Sequence, residues 1–137
     1  MEQNPKSFQV HGLIGETGVD ELIAATLVYE NGVISQFSSN IRSDNRNEFV
    51  IYGSAGHIRI HANFWGGTRA TLNVNGKEQT VIADFDATGF EYQTVEAMRC
   101  IREGLLESPK MIHADTLATM TLMDSIRAEI GLKYPFE

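Results

Sequence analysis

The sequence has only one cysteine, Cys100, and fewer basic than acidic residues. One cysteine cannot form an internal disulfide, nor can it build a zinc site alone. Eleven Lys and Arg against eighteen Asp and Glu give a formal charge of −7, which argues against nucleic-acid binding, because the phosphates need a basic face. No apolar run approaches the roughly 20 residues of a membrane helix, and residues 1–7 lack the apolar core of a signal peptide. We therefore expect a cytoplasmic protein with neither nucleic acid nor membrane as partner.

The length of 137 residues, with a hydrophobic fraction of 42%, is typical of one globular domain. We find no repeat, low-complexity run or linker that would divide it. The sequence therefore predicts a single domain over residues 1–137.

The first two-thirds of the chain carry turn signals between apolar runs, which is typical of antiparallel strands. Asn-Gly is a strong hairpin signal, because a type I′ turn needs positive φ at both central residues. Asn31-Gly32 and Asn75-Gly76 predict two hairpins, and the run from Gly53 to Gly56 predicts a third. The six strands lie at 21–30, 33–42, 48–52, 57–62, 69–74 and 77–83, and Phe8–Ile14 adds a seventh.

The last third of the chain predicts two helices. The first begins after Gly89 and ends at Ser108-Pro109. The second is capped by His113 or Asp115 and stopped by Gly131. The apolar stripe of the first helix consists of Val95, Met98, Ile101 and Leu105. That of the second consists of Leu117, Met120, Met123, Ile126 and Ile130. The predicted fold class is α+β: an antiparallel meander sheet of six to seven strands with two C-terminal helices packed on one face.

The strand at 21–30 is apolar on both faces. Ile23, Ala25 and Leu27 lie on one face, and Leu22 and Ala24 begin the other. An antiparallel strand with one solvated face should alternate apolar and polar residues. The two helices can cover only one side, so a partner chain or a further domain is expected on the other.

The patterns that could carry chemistry favour structural roles. His57 and His61 have the spacing of a helical zinc pair, but the alternation around them predicts a strand, which separates them by about 13 Å. Asp84 and Asp86 are typical of a solvated loop, and Cys100 of a buried thiol. No glycine run matches a nucleotide-binding motif. We assign no catalytic, cofactor-binding or metal-ligating residue in this chain.

Aromatic residues gather in loops next to the predicted sheet. Phe64 and Trp65 interrupt the strands, and Phe85, Phe90 and Tyr92 follow. Aromatics at loop positions along one sheet edge often wall an apolar ligand pocket. They can equally plug the gap between sheet and helices, and the residues alone leave both interpretations open.

Several segments in order resemble the C-terminal domain of the Gfo/Idh/MocA family of NAD(P)-dependent oxidoreductases, especially its dihydrodiol- and xylose-dehydrogenase-like branch. No single segment is specific, but their order and spacing match from Thr17 to the end of the chain. They are Thr17-Gly-Val-Asp20, Tyr29-Glu-Asn-Gly32, Tyr52-Gly-Ser-Ala-Gly56, Asn63-Phe-Trp65, Gly89-Phe-Glu-Tyr92, Glu107-Ser-Pro109, Met123-Asp-Ser-Ile-Arg127 and Tyr134-Pro-Phe-Glu137.

The resemblance implies that Phe64, Trp65, Phe85 and Phe90 line the substrate pocket of a dehydrogenase that acts on a sugar or diol hydroxyl or carbonyl. It implies that NAD or NADP is bound by an N-terminal Rossmann domain that this chain does not contain, so we expect the chain alone to be inactive.

The resemblance also implies an isologous homodimer through the open sheet face. Candidate interface residues are Ile23, Leu27, Tyr29, Phe37 and Tyr52. The alternatives are a stand-alone dimerisation module that binds a small ligand without catalysis, and a purely structural dimerisation domain.

Overall fold

The computed structural model of the chain describes residues 4–134, which form two compact units. The first unit comprises the described parts of 1–44 and 107–137, and the second comprises 45–106. Along the chain the strands are β1 (Ser7–Ile14), β2 (Asp20–Val28), β3 (Ile34–Asn40), β4 (Phe49–Gly53), β5 (Gly56–Ile60), β6 (Arg69–Val74) and β7 (Lys77–Ile82), and the helices are α1 (Phe90–Arg102) and α2 (His113–Glu129).

The α+β class is confirmed, but the seven strands do not form the expected single meander. They form two antiparallel sheets, of order β1-β2-β3 and β4-β5-β6-β7. The break lies at residues 41–48, where β3 is followed by a polar segment instead of a hairpin. Asn40 begins it, because its Oδ1 accepts hydrogen bonds from the Ser43 backbone N–H and hydroxyl, each at 2.8 Å. Asn47 then takes a left-handed φ of 51°.

The two Asn-Gly pairs form different turns. Asn75 and Gly76 both have positive φ, 52° and 78°, and connect the paired residues Val74 and Lys77, as a type I′ turn requires. At the β2–β3 connection only Gly32 has positive φ, and the Tyr29 N–H bonds the Val33 carbonyl at 3.0 Å. The wider β2–β3 loop thus differs from the predicted two-residue turn.

In the first unit, α2 ends against one face of the three-stranded sheet. A Cβ added to Gly12 on β1 would lie 2.8 Å from Ile130 Cδ1. Gly12 pairs with Ile23, so this covered face also carries Ala25 and Leu27, both buried. The Tyr134 hydroxyl donates to Asp20 Oδ1 at 3.3 Å and fastens the chain beyond α2 to the same sheet.

The two helices lie in different units, α1 in the second and α2 in the first, so the predicted packing of both helices on one sheet face is not confirmed. Helix α1 ends at Arg102, earlier than predicted, because Gly104 adopts a φ of 68° and the chain reverses there. Helix α2 is not capped by His113 or Asp115. Instead, the Glu107 carboxylate accepts the backbone N–H of His113 at 2.6 Å. Over residues 4–134 the helices are too short or too polar to cross a bilayer.

Candidate functional site

A short 3-10 turn, Phe64–Gly66, places two aromatic side chains on the surface of the second unit. Asn63 enters the turn with a left-handed φ of 64°, a conformation that asparagine tolerates better than most residues. Three backbone hydrogen bonds hold the turn. The Gly66 N–H donates to the Asn63 carbonyl at 2.8 Å, the Gly67 N–H to the Phe64 carbonyl at 3.2 Å, and the Phe64 N–H to the Asn47 carbonyl at 3.1 Å. The backbone that carries Phe64 and Trp65 is therefore held by hydrogen bonds at both ends of the turn.

Three aromatic rings are in contact around this turn. Phe64 and Trp65 meet edge to face at a centroid distance of 5.6 Å, and Phe49 lies 6.0 Å from Phe64. These are favourable geometries for ring pairs. Trp65 is nevertheless 67% exposed, and the other two rings are also exposed. An aromatic surface that is open on one side suits a flat or cyclic ligand.

Phe85 is brought next to the same turn. A Cβ on Gly66 would lie 3.9 Å from Phe85 Cε2, and a Cβ on Gly89 would lie 3.1 Å from Phe85 Cζ. The Phe85 ring also pairs with Tyr92 on α1, at a centroid distance of 6.2 Å. Gly66 and Gly89 thus allow the ring to approach the backbone closely.

Glu91 holds the loop that carries Phe85. Its Oε1 accepts the Ala87 N–H at 2.8 Å, and its Oε2 accepts the Thr88 N–H at 3.1 Å and the Thr88 hydroxyl at 3.3 Å. Hydrogen bonds from backbone N–H groups, that of Glu91 itself first, hold the pKa of this carboxyl down to about 2. The carboxylate is therefore charged at any physiological pH.

Phe90 is the fourth predicted pocket residue. It is the first residue of α1 and is 71% exposed. In the described part of the chain no ring contact joins it to Phe64, Trp65 or Phe85.

Phe49 was missed by the sequence reasoning. The Ser54-Ala55 hairpin sets Phe49 opposite Ile60, and the chain leaves Ile60 towards the 3-10 turn. Residues on the Phe49 side of the four-stranded sheet are mostly apolar and largely exposed, so the aromatic surface continues into an apolar sheet face. Its exposed members include Ile51, Ile58, Leu72 and Val81.

Comparison with known proteins identifies relatives across nearly the whole chain. It is 32% identical over 140 residues to trans-1,2-dihydrobenzene-1,2-diol dehydrogenase of Danio rerio, covering 96% of this chain and 41% of that protein. The Xenopus laevis and Mus musculus proteins of the same name are 34% and 28% identical, with 97% of this chain covered in both cases and 42% and 41% of the relatives. The chain is homologous to the C-terminal part of these dehydrogenases. It spans about two-fifths of their length. No family model matches it.

The fold has a known relative as well. UDP-N-acetylglucosamine 3-dehydrogenase GnnA from Acidithiobacillus ferrooxidans superposes with a TM-score of 0.60 at 14% identity, covering 74% of this chain and 33% of that one. This likeness concerns the fold alone. The sequence relatives confirm the expected resemblance to the C-terminal part of dehydrogenases.

The described residues do not fit a nicotinamide dinucleotide. Such a cofactor binds at the carboxyl ends of parallel strands, with its pyrophosphate at a glycine-rich turn that opens a helix. All five strand pairings in residues 4–134 are antiparallel. Residues 4–134 also hold no group of three or more His, Cys, Asp or Glu that could bind a metal ion.

Among the polar candidates, His61 has a structural partner and Cys100 is buried. His57 lies in β5, and His61, just beyond it, bonds Thr71 Oγ1 at 2.9 Å through Nε2. Glu21 pairs with Arg42 at 2.9 Å. Cys100 is buried, as predicted. The aromatic surface is therefore the candidate site.

Proposed function

We propose that this chain forms one wall of the substrate pocket of an NAD(P)-dependent oxidoreductase that acts on a hydroxyl or carbonyl of a cyclic diol or sugar. The observation that carries the proposal is the open surface of Phe49, Phe64 and Trp65, with Phe85 beside it. Homology to dehydrogenases named for a cyclic diol supports the same ligand class. Aromatic faces contact ring C–H groups and leave the hydroxyls free for polar groups elsewhere.

The catalytic acid or base and the NAD or NADP site are proposed to lie outside the described residues, because no dinucleotide site is formed there. The part left to this chain is to bind the ring and keep water from the reacting carbon. We propose a cytoplasmic location for the parent enzyme; the buried, unbridged thiol of Cys100 is compatible with a reducing compartment.

The test is NMR mapping on the 137-residue chain, with catechol as probe. Oxidation of a dihydrobenzene diol removes two hydrogen atoms and yields catechol after tautomerisation, so catechol has the ring and the vicinal oxygens of the proposed ligand class. We expect binding in the millimolar range, since one wall contributes only part of the contacts. The Trp65 indole N–H and the backbone amides of Phe64 and Phe85 should shift together.

Cyclohexane-1,2-diol and phenol are the matched control ligands. The first keeps the vicinal oxygens of catechol without its aromatic ring, and the second keeps the aromatic ring with a single hydroxyl. Shifts that map to the three-stranded sheet instead of Trp65 would overturn the proposal. Micromolar binding by the chain alone would instead favour the stand-alone ligand-binding module.

We further propose a homodimer through the open face of the three-stranded sheet. Because Leu27 is buried, we propose the opposite face of β2, and not the side of Ile23 and Leu27, as the interface. From Leu22 to Val28, no residue on that face or opposite it on β1 and β3 is Lys, Arg, Asp or Glu, although 21% of the chain is charged. Depletion of charge is typical of an interface core. Apolar side chains stand at both ends, Leu13 and Leu22 at one and Ile34 at the other.

A further inference from the structure

The segment that carries Phe85 has no regular secondary structure, yet its shape is closely defined. Residues 83–85 follow β7, and the chain then bends at 86–89 before α1 begins. The Phe85 ring lies over Gly89, which has a left-handed φ of 88°. Such a reversal exposes several N–H groups of the helix start that need acceptors.

We propose that Glu91 is a positioning residue, whose carboxylate fixes the 86–89 turn and thereby sets the place of the Phe85 ring in the pocket wall. The inference rests on the proposed function, since it concerns the same aromatic surface. No residue of this turn is assigned a role by the resemblance or by the comparisons.

The hydrogen bonds from Ala87 and Thr88 to the Glu91 carboxylate hold the turn closed, and we call this set of contacts the clasp. Both carboxylate oxygens reach back to the two residues before Gly89, and Thr88 closes the ring of contacts because its Oγ1 also lies 3.4 Å from the Phe90 N–H. A glutamate in the first helical turn is also favoured by the helix dipole. Loss of the carboxylate would leave two N–H groups without their acceptor, so the turn would lose its single conformation.

The Glu91 carboxylate stays charged throughout the physiological pH range, so the clasp does not open and close with pH. The pKa of Glu91 is about 2, held down by backbone hydrogen bonds. Around the turn the other ionisable groups are Asp84 and Asp86, and Tyr92 lies on α1. None of them supplies a positive charge, and the carboxylate is held by backbone N–H groups and the Thr88 hydroxyl.

The experiment uses the ring current of Phe85 as its readout. The Gly89 α-protons lie beneath the ring, so one of them should resonate strongly upfield in the unchanged chain. In Glu91→Gln and Glu91→Ala the shift should collapse towards the random-coil value, more completely in the alanine variant. Asp86→Asn is the matched control, since it removes a carboxylate from the same turn without touching the clasp. It should keep the upfield proton.

Measuring catechol binding to the same variants distinguishes this inference from the proposed function. If Glu91 positions the wall, catechol should bind Glu91→Gln about fivefold more weakly, because a free ring must be ordered on binding. A retained upfield proton in both Glu91 variants overturns the inference, whatever catechol does. A collapsed shift with unchanged catechol affinity overturns the role of Glu91 in the site.

Catechol that never contacts Trp65 in the unchanged chain overturns the proposed function, and the positioning role falls with it. Far-ultraviolet circular dichroism of each variant confirms that α1 is still present, so that a general loss of folding is not mistaken for release of the ring.

Discussion

The ring of Phe85 lies directly over Gly89: a Cβ at position 89 would be 3.1 to 3.2 Å from three ring atoms. Gly89 also has a φ of 88°, a region that residues with a side chain rarely adopt. Two separate requirements, backbone conformation and space, therefore exclude a larger residue. Both the conformation of the 86–89 turn and the position of the Phe85 ring therefore depend on Gly89.

Gly89→Ala is expected to lower the free energy of unfolding by more than a glycine replacement that introduces backbone strain but no steric clash. Gly76→Ala is the matched control, because Gly76 has a similar φ of 78° and nothing within 4 Å of an added Cβ. The control should lose about 1 kcal/mol from left-handed strain, and Gly89→Ala about 1–3 kcal/mol more from overpacking. Urea unfolding measures both. Equal losses would mean that the ring moves away freely.

The hairpins were predictable from the sequence because each depends on adjacent residues. Asn75-Gly76 has the predicted φ values, and Gly53 pairs with Gly56. The break between β3 and β4 was not predictable. It depends on the Asn40 side chain binding Ser43 instead of the chain continuing into a hairpin, and apolar alternation carries no signal of that choice.

The candidate site was predictable in part for the same reason. Phe64 and Trp65 are adjacent aromatics in a glycine-rich loop, which composition alone reveals. Phe49 joins them through the antiparallel pairing of β4 with β5, which sets it opposite Ile60, and apolar alternation does not reveal that register. The clasp at Glu91 needs the turn at 86–89 to exist first, and the sequence places Glu91 only in the first turn of a helix.

A second prediction concerns the contact between α2 and its sheet. Gly12→Ala would set a Cβ 2.8 Å from Ile130 Cδ1, so it should destabilise the chain by about 1–2 kcal/mol. In an Ile130→Ala background the same change should cost much less, because the clashing atom is gone. A double-mutant cycle by urea unfolding gives the coupling energy. Additive effects would show that the two residues do not touch in solution.

The third prediction is the pH dependence that Glu91 contributes. Its folded pKa, about 2, lies below the ordinary value of 4.5. The stability it adds is therefore complete above about pH 4.5 and is lost as the pH falls from there through about 2. Unfolding curves of the unchanged chain and Glu91→Gln should converge over this window. A gap that persists at pH 2 would contradict the assignment.

Trp65→Ala separates ligand binding from structure. The side chain is mostly exposed, so its removal should cost only about 0.5–1.5 kcal/mol, the scale of its ring contact with Phe64. Catechol contact at the aromatic surface should be lost, while the dimer remains. Loss of association with unchanged catechol binding would instead support the purely structural dimerisation domain.

The last prediction tests the proposed dimer face. Thr26 lies at the centre of the uncharged face, opposite Gln36, whose Nε2 donates to Thr26 Oγ1 at 3.2 Å. Thr26→Arg would bury an unpaired charge in a two-fold interface, where the charge also meets its own copy, so the dimer should dissociate. Light scattering should give the monomer mass for this variant and the dimer mass for the unchanged chain. Ser54→Arg, in the exposed β4–β5 turn, is the matched control and should stay dimeric. A monomeric unchanged chain would overturn the proposal, and a dimer that survives Thr26→Arg would move the interface to another surface.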